Sequence, residues 1–314
     1  MQAIMVSEYG GPEVLQVRET EIPVPGPGEV LVRVLAAGVG LWDARLRSGG
    51  RSGSLPYVPG AEFAGVVEGN SGDQFGFRDG DPVYGYPGLT GCYAEYVACP
   101  GEQMAPLPAG LPRIDAGAVP VDGLTAEQGL TSVLGVKAGD RVLITAGAGG
   151  LGHFAVQMAR ALGAIVYATA SPQHHEFLHK LGAAVVVDHD QPGWPDRIRE
   201  LTDGGVSKVL AVVGPTLEGA AAAARDGAVI ATPVHQGEYP GAERVRWQPY
   251  NGQSSGSGLI RLAPWFDDGT LTVEIARRYY WQDAAAAHRE VETGHTRGKL
   301  VLIVDEDLAA TVEV

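Results

Sequence analysis

At 314 residues the chain exceeds the size at which one hydrophobic core usually keeps growing, so two domains are expected, and 45% hydrophobic residues describe an ordinary globule. A formal net charge of −14 opposes phosphate backbones and anionic membranes, which sets nucleic-acid binding aside as a principal role. Cys92 and Cys99 are too few for a disulfide framework or a four-cysteine zinc lobe, and the start Met1-Gln2-Ala3-Ile4-Met5-Val6 lacks a signal peptide's basic and long apolar regions, so a cytoplasmic location is expected.

From Met1 to about Ala116 short apolar or alternating stretches are broken by Gly and Pro. Val30–Val34, Gly65–Glu68, Asp81–Tyr84 and Ala94–Val97 predict a compact β-rich domain. From Gly117 to Ser254 apolar strands alternate with helical stretches, the pattern of a parallel sheet wound with crossover helices. The strand Arg141–Thr145 leads into Gly147-Ala148-Gly149-Gly150-Leu151-Gly152, and an amphipathic helix is predicted over 153–162, with Ala155, Met158, Ala159 and Leu162 on one face and Gly163 as its stop. A strand follows at Ala164–Thr169. Strand, glycine turn, helix and strand in that order read as a dinucleotide-binding turn, because glycines permit a tight turn, close approach to a pyrophosphate and a helix packed on the strand. Further strands are expected at Ala184–Val187, Val209–Val213 and Ala228–Thr232, with helices at Glu176–Leu181, Pro195–Leu201 and Leu217–Arg225. Asn251–Gly258 reads as a flexible loop returning the chain to the first domain. Helix, strand, helix and a last strand at Lys299–Val304 complete the chain.

Several stretches, taken in order, resemble one family. They are Met1 to Leu15 (MQAIMVSEYGGPEVL), Pro59–Val67, Gly123-Leu124-Thr125-Ala126, Lys137–Leu143, the glycine turn with Ala155–Ala159, and Thr296–Leu302. Together they resemble the zinc-independent quinone oxidoreductase, or zeta-crystallin-like, branch of the medium-chain dehydrogenase/reductase superfamily. The resemblance implies an α/β chain with a GroES-like catalytic domain over 1–116, completed by 255–314, and a Rossmann domain over 117–254. It also implies homodimers formed through sheet edges, for which Glu243-Arg244-Val245-Arg246-Trp247 is the candidate strand; its charges equally suit an edge kept from aggregating.

Zinc-dependent relatives place a catalytic metal on three converging ligands. Here the position of the first is Gly40 and that of the histidine is Ala61, so no metal is expected. No acid ends the strand after the glycine turn, where one would hold the ribose hydroxyls of NADH. Ser171, His174 and His189 stand where similar proteins hold the 2'-phosphate, so NADPH is the expected cofactor; solvated helix or loop positions are the alternative for the histidines. Ala146, Gly147, Gly149, Gly150, Leu151, Gly152, Thr125, Val213, Arg297 and Lys299 join them as cofactor-binding residues. Gly40, Leu41, Trp42 and Tyr57 are expected at the substrate, with Trp42 a pocket wall or core residue and Tyr57 a donor to a quinone or enone oxygen or a structural tyrosine.

Asp43 is either a brace of the local fold or a proton-transferring carboxylate. Glu127, where the family usually has an aromatic residue, is an acid or base if buried and an exposed helical glutamate otherwise. The expected function is NADPH-dependent hydride transfer to a quinone or activated C=C bond, including a tailoring step in a biosynthetic pathway. The alternatives are a carbonyl reductase or redox-neutral cyclase on the same fold, or a non-catalytic NADPH-binding redox sensor.

Overall fold

The computed structural model describes residues 1–50, 54–69, 75–235 and 237–305. They form two compact units, one of Met1–Leu124 with the chain from Ser254 on, the other of Thr125–Gln253.

In the first unit, β1 (Gln2–Met5) and β2 (Gln16–Glu19) make an antiparallel ribbon. β3 (Glu29–Val39), α1 (Leu41–Arg47), β4 (Phe63–Val67), β5 (Pro82–Gly85), β6 (Tyr96–Pro100) and β7 (Met104–Pro106) follow. β3 organises the sheet. One of its edges pairs antiparallel with β4, and the start of its other edge, Glu29–Arg33, pairs with β6. Its exposure alternates as far as Arg33, and from Val34 onward both faces are buried. α2 (Pro120–Gln128) begins in this unit and ends in the next, running into a π-helical turn at Gly129–Val133.

The second unit is a parallel sheet with helical crossovers: β8 (Arg141–Ile144), α3 (Gly150–Ala161), β9 (Ile165–Thr169), α4 (His175–Leu181), β10 (Val185–Val187), α5 (Trp194–Leu201), β11 (Val206–Leu210), α6 (Leu217–Ala223), β12 (Ala224–Thr232) and β13 (Arg246–Pro249). The strand order is β10-β9-β8-β11-β12-β13. Strand order therefore reverses between β8 and β11, the place where doubly wound sheets bind ligands beyond their carboxyl ends. Val142, Leu143 and Ile144 are fully buried, as a central parallel strand requires.

Several predicted boundaries and patterns differ from those observed. The helix after the glycine turn starts at Gly150, inside the turn, and residues 151–159 are all buried, so it has no solvent face until Arg160. The sheet strand falls at Val206–Leu210 rather than 209–213, since Lys208, Val209 and Leu210 register with Val142, Leu143 and Ile144. Arg225 lies in β12 and not in a helix, because Ala224 already pairs with Val206. Of the charged stretch 243–247 only Arg246 and Trp247 are strand, paired parallel with β12 at the sheet edge.

The segment from Ser254 returns to the first unit as α7 (Gly256–Asp267), β14 (Ile275–Tyr280), α8 (Ala284–Glu292) and β15 (Lys299–Ile303). Gly256 and Gly258 are helical and buried, not loop, and Ser255 caps the helix by accepting from the Gly258 amide at 3.0 Å. β15 pairs antiparallel with Ala36–Val39 of β3, and β14 pairs parallel with β15. Among the described residues no helix is long and apolar enough to cross a membrane.

At the start of β15, Lys299 carries a buried ammonium. It donates to Asp122 Oδ2 of α2 at 2.7 Å and lies 3.0 Å from Glu62 Oε1, while Glu62 Oε2 accepts from the Val121 amide at 2.7 Å. The ion cluster thus ties the C-terminal strand to α2 and to the residue before β4.

Removing one partner of a buried ion cluster leaves charge without compensation. Lys299→Met is expected to lower unfolding stability by about 3–5 kcal/mol, with most of it regained when Glu62→Gln and Asp122→Asn are added. Phe63→Ala, in the core of the same unit, is expected to cost about 3–5 kcal/mol. Urea unfolding at pH 7 checks both.

Candidate functional site

The glycine turn leaves β8 at the point where the sheet order reverses. Ala146 adopts φ +51°, its amide donates to Thr169 Oγ1 at 3.1 Å, and the Gly147 amide donates to the Thr169 carbonyl at 2.9 Å. The first and last glycines have separate steric reasons. A Cβ on Gly147 would come within 3.1 Å of the Ala168 Cβ, and one on Gly152 would overlap the Ala146 carbonyl oxygen and approach Gly147 Cα to 2.7 Å. A Cβ on Gly149 would make only an ordinary contact, so this glycine leaves the N-terminus of α3 bare instead of relieving a clash. Gly149 caps α3 without a side chain, leaving the first-turn amides of Gly150, Leu151 and Gly152 with no intrahelical acceptor at the positive end of the helix dipole. That arrangement fits a pyrophosphate.

Two neighbouring strand ends lie beside this turn. Ser171 and His174 follow β9 in a short 3-10 turn, and His189 follows β10, which pairs with β9. His189 Nε2 lies 3.5 Å from Asp190 Oδ1, and the His175 ring donates Nε2–H to the Ala170 carbonyl at 3.0 Å. Beyond β11, Val213 is extended, and Thr145 Oγ1 accepts from the Val212 amide at 3.0 Å and from Thr216 Oγ1 at 2.8 Å, tying that loop to the end of β8. Thr125 is buried in α2, its carbonyl accepting from the Tyr250 hydroxyl at 2.9 Å. Glu127 is 8% exposed, which removes the reading of an exposed helical glutamate; Thr131 Oγ1 donates to its carbonyl at 2.8 Å. Arg297 pairs with Glu274 at 2.5 Å in the first unit, where Lys299 is held between Asp122 and Glu62.

The first unit also holds a cluster of polar groups at the start of α1. A Cβ on Gly40 would overlap the Trp42 indole, whose ring centroid lies 4.7 Å from Lys299 Nζ. Leu41 packs on the core beside them. Asp43 is fully buried, and its Oδ2 accepts from the Gly40 amide at 2.9 Å and the Tyr93 hydroxyl at 3.4 Å. Burial pushes the Asp43 carboxyl up to about 8, with the charge of Glu62 adding, and the Gly40 amide, Lys299 and Tyr93 opposing.

Tyr93 OH lies 3.3 Å from His288 Nε2, whose Nδ1 lies 3.5 Å from Arg47 Nη1, and Arg47 closes the chain on Glu292. Burial first, then Arg47, pushes His288 down to about 3. Tyr57 is pinned by backbone hydrogen bonds to Val6 in both directions, and burial, with Asp43 next, pushes its phenol up to about 12. Among the described residues Trp42 Nε1, Asp43 Oδ1 and Tyr57 OH are buried without a hydrogen-bond partner.

Glu62, Asp122, Tyr93, Arg47 and His288 escape the sequence reading because they meet from separate elements. One signal was available: His288 sits on the apolar stripe Ala284, Ala287, Val291 of α8, where an imidazole must find buried partners.

Gly40 and Ala61 offer no donor atom, and the described residues contain no group of three or more His, Cys, Asp or Glu side chains placed to hold a metal ion. Residues 26–109 match the alcohol dehydrogenase GroES-like domain and residues 181–302 a family described as zinc-binding dehydrogenase. The chain is 31% identical to a quinone oxidoreductase of Pseudomonas aeruginosa, covering 96% of this chain and 98% of that protein. Its match to the human quinone oxidoreductase, at 35% identity, covers 64% of this chain and 62% of the human protein. Among solved structures, an NAD-dependent alcohol dehydrogenase superimposes with a TM-score of 0.89 at 32% identity, covering 97% of this chain and 100% of that one. A mycobacterial protein in complex with NADPH superimposes with a TM-score of 0.87 at 32% identity, with the same coverage of each chain. Glycine turn, sheet order and full-length similarity agree, and the chain belongs to the quinone oxidoreductase branch of the medium-chain dehydrogenase/reductase superfamily.

Proposed function

We propose that this protein is a metal-free, NADPH-dependent reductase that delivers hydride to a quinone or to an activated C=C bond. The observation that carries the reading is the bare α3 N-terminus behind a turn in which Gly152 is sterically required and a Cβ on Gly147 would crowd Ala168. Reduced nicotinamide supplies the hydride when bound. The amides of Gly150, Leu151 and Gly152 bind the pyrophosphate. Ser171, His174 and His189 hold the 2'-phosphate at the ends of β9 and β10, with no acid at the end of β9 to prefer a ribose hydroxyl. The solved NADPH complex of a similar chain supports nicotinamide binding by this fold.

Tyr57 suits donation to the acceptor oxygen, because its hydroxyl is buried, keeps its proton through the whole working pH range and has no acceptor among the described residues. Hydride transfer needs the acceptor held and its oxygen polarised, which hydrogen-bond donation by the Tyr57 hydroxyl provides. The β13 edge offers the face for a second copy.

Titration by nicotinamide fluorescence is expected to show NADPH bound at least about tenfold more tightly than NADH. Addition of 9,10-phenanthrenequinone or a simple enone is then expected to oxidise the cofactor. Binding without acceptor reduction would overturn the reductase reading, and no binding would overturn the assignment of the glycine turn. Tyr57→Phe is expected to lower kcat by about 10²-fold while leaving NADPH affinity near that of the parent; an unchanged kcat would make Tyr57 structural.

A further inference from the structure

His153 is the fourth residue of α3 and is wholly buried. Its ring packs on that of Phe154, with 4.0 Å between centroids, and the Gln157 side-chain amide donates to the His153 carbonyl at 3.0 Å. The backbone amide of His153 and its ring Nδ1 each lie 3.0 Å from one and the same atom, the Gly149 carbonyl oxygen. A carbonyl oxygen only accepts, so Nδ1 carries hydrogen whatever the charge on the ring, and the two lone pairs of the oxygen receive two donors. The first of these bonds belongs to any α-helix. The second is supplied by this side chain.

That oxygen matters because of what shares its peptide group. In a trans peptide the C=O and N–H point in opposite directions, and the N–H opposite the Gly149 carbonyl is that of Gly150, the first bare amide of α3. With the oxygen held down the helix, this N–H is turned outward; a flipped peptide would present a carbonyl oxygen there and repel an anion. Glycine stands on both sides of the group, so the backbone itself resists rotation less here than anywhere else in the helix. Gly149 is extended (φ −78°, ψ −177°), and no neighbour crowds the place of its missing Cβ. The restraint has to come from hydrogen bonds to the oxygen, and the imidazole doubles them.

We propose that His153 positions the pyrophosphate of the nicotinamide dinucleotide: its Nδ1–H clamps the Gly149 carbonyl and so keeps the Gly150 N–H presented to the phosphate oxygens. The inference rests on the reading of the glycine turn given above. Because the ring is wholly buried, it acts through the peptide group and not by touching the ligand, which makes His153 a positioning residue. The clamp serves the pyrophosphate, a group that NADPH and NADH share. Its loss therefore weakens both by the same factor and leaves their ratio, set elsewhere by the 2'-phosphate, unchanged.

Two substitutions separate the hydrogen bond from the space the ring fills. His153→Asn keeps a donor, since the amide nitrogen stands as many bonds from Cα as Nδ1 does; His153→Leu fills the site without one. Titration by nicotinamide fluorescence is expected to show NADPH and NADH each bound about tenfold more weakly by His153→Leu, the worth of about one hydrogen bond, and within about threefold of the parent by His153→Asn. Urea unfolding is expected to rank the pair the other way, because leucine is the better helix former and buries no polar group. A purely structural role would rank affinity with stability. In the cofactor-free protein carrying 15N-labelled histidine, a long-range proton–nitrogen spectrum is expected to show hydrogen on Nδ1 in the signal that His153→Asn removes. His153→Leu binding as tightly as the parent, affinities that follow the stability order, or an Nδ1 without hydrogen overturns the positioning role alone. A parent that binds neither dinucleotide overturns the reading of the glycine turn and the positioning role with it.

Discussion

One ammonium between two carboxylates in a dry interior is the constraint on which the first unit depends. Lys299 sits where β15 enters the sheet, and its partners, Glu62 and Asp122, belong to segments far away in sequence. Burying such a cluster brings little net stability, because desolvation offsets most of the attraction; its effect is to fix one arrangement, since any slip in β15 register would strand a charge. Burial pushes the neighbouring Asp43 toward its neutral form, with Glu62 adding and Lys299 opposing, and the Trp42 indole lies over the Lys299 ammonium, which its face attracts.

The two units meet their chemical tasks by opposite means. In the second, bare backbone amides stand at a helix start, made reachable by missing side chains. In the first, the polar atoms are side chains fully withdrawn from water, where each hydrogen-bond direction is set by what its neighbour can donate or accept. Salt screening weakens with burial, so it acts least on the withdrawn side chains of the first unit.

Legibility in the sequence follows the same division. The glycine turn, the strand runs around it and the order of elements were readable because each is local, within twenty or so residues. α3 was misread as amphipathic because period-3.6 patterning marks only one buried side, and this helix is enclosed all round over residues 151–159. Arg225 was misplaced because strand pairing to β11 overrides the helical propensity of the alanine run before it. Tyr93, Arg47 and His288 were not legible as a set: their contacts span up to 245 residues of sequence, and no spacing rule connects them. Glu127 was ambiguous for a simpler reason, since a single glutamate in a short helix does not declare which way it faces.

Gly40 and Trp42 couple two positions that would otherwise vary independently. The indole occupies the space that a Cβ at position 40 would need, so any side chain at that position, a metal-binding thiolate included, first requires the tryptophan to shrink or turn away. Turning it away uncovers the Lys299 ammonium. A lineage carrying this pair must cross an intermediate with either a steric clash or an exposed cation before it can acquire a metal ligand at position 40, which makes the glycine–tryptophan pair an epistatic ratchet.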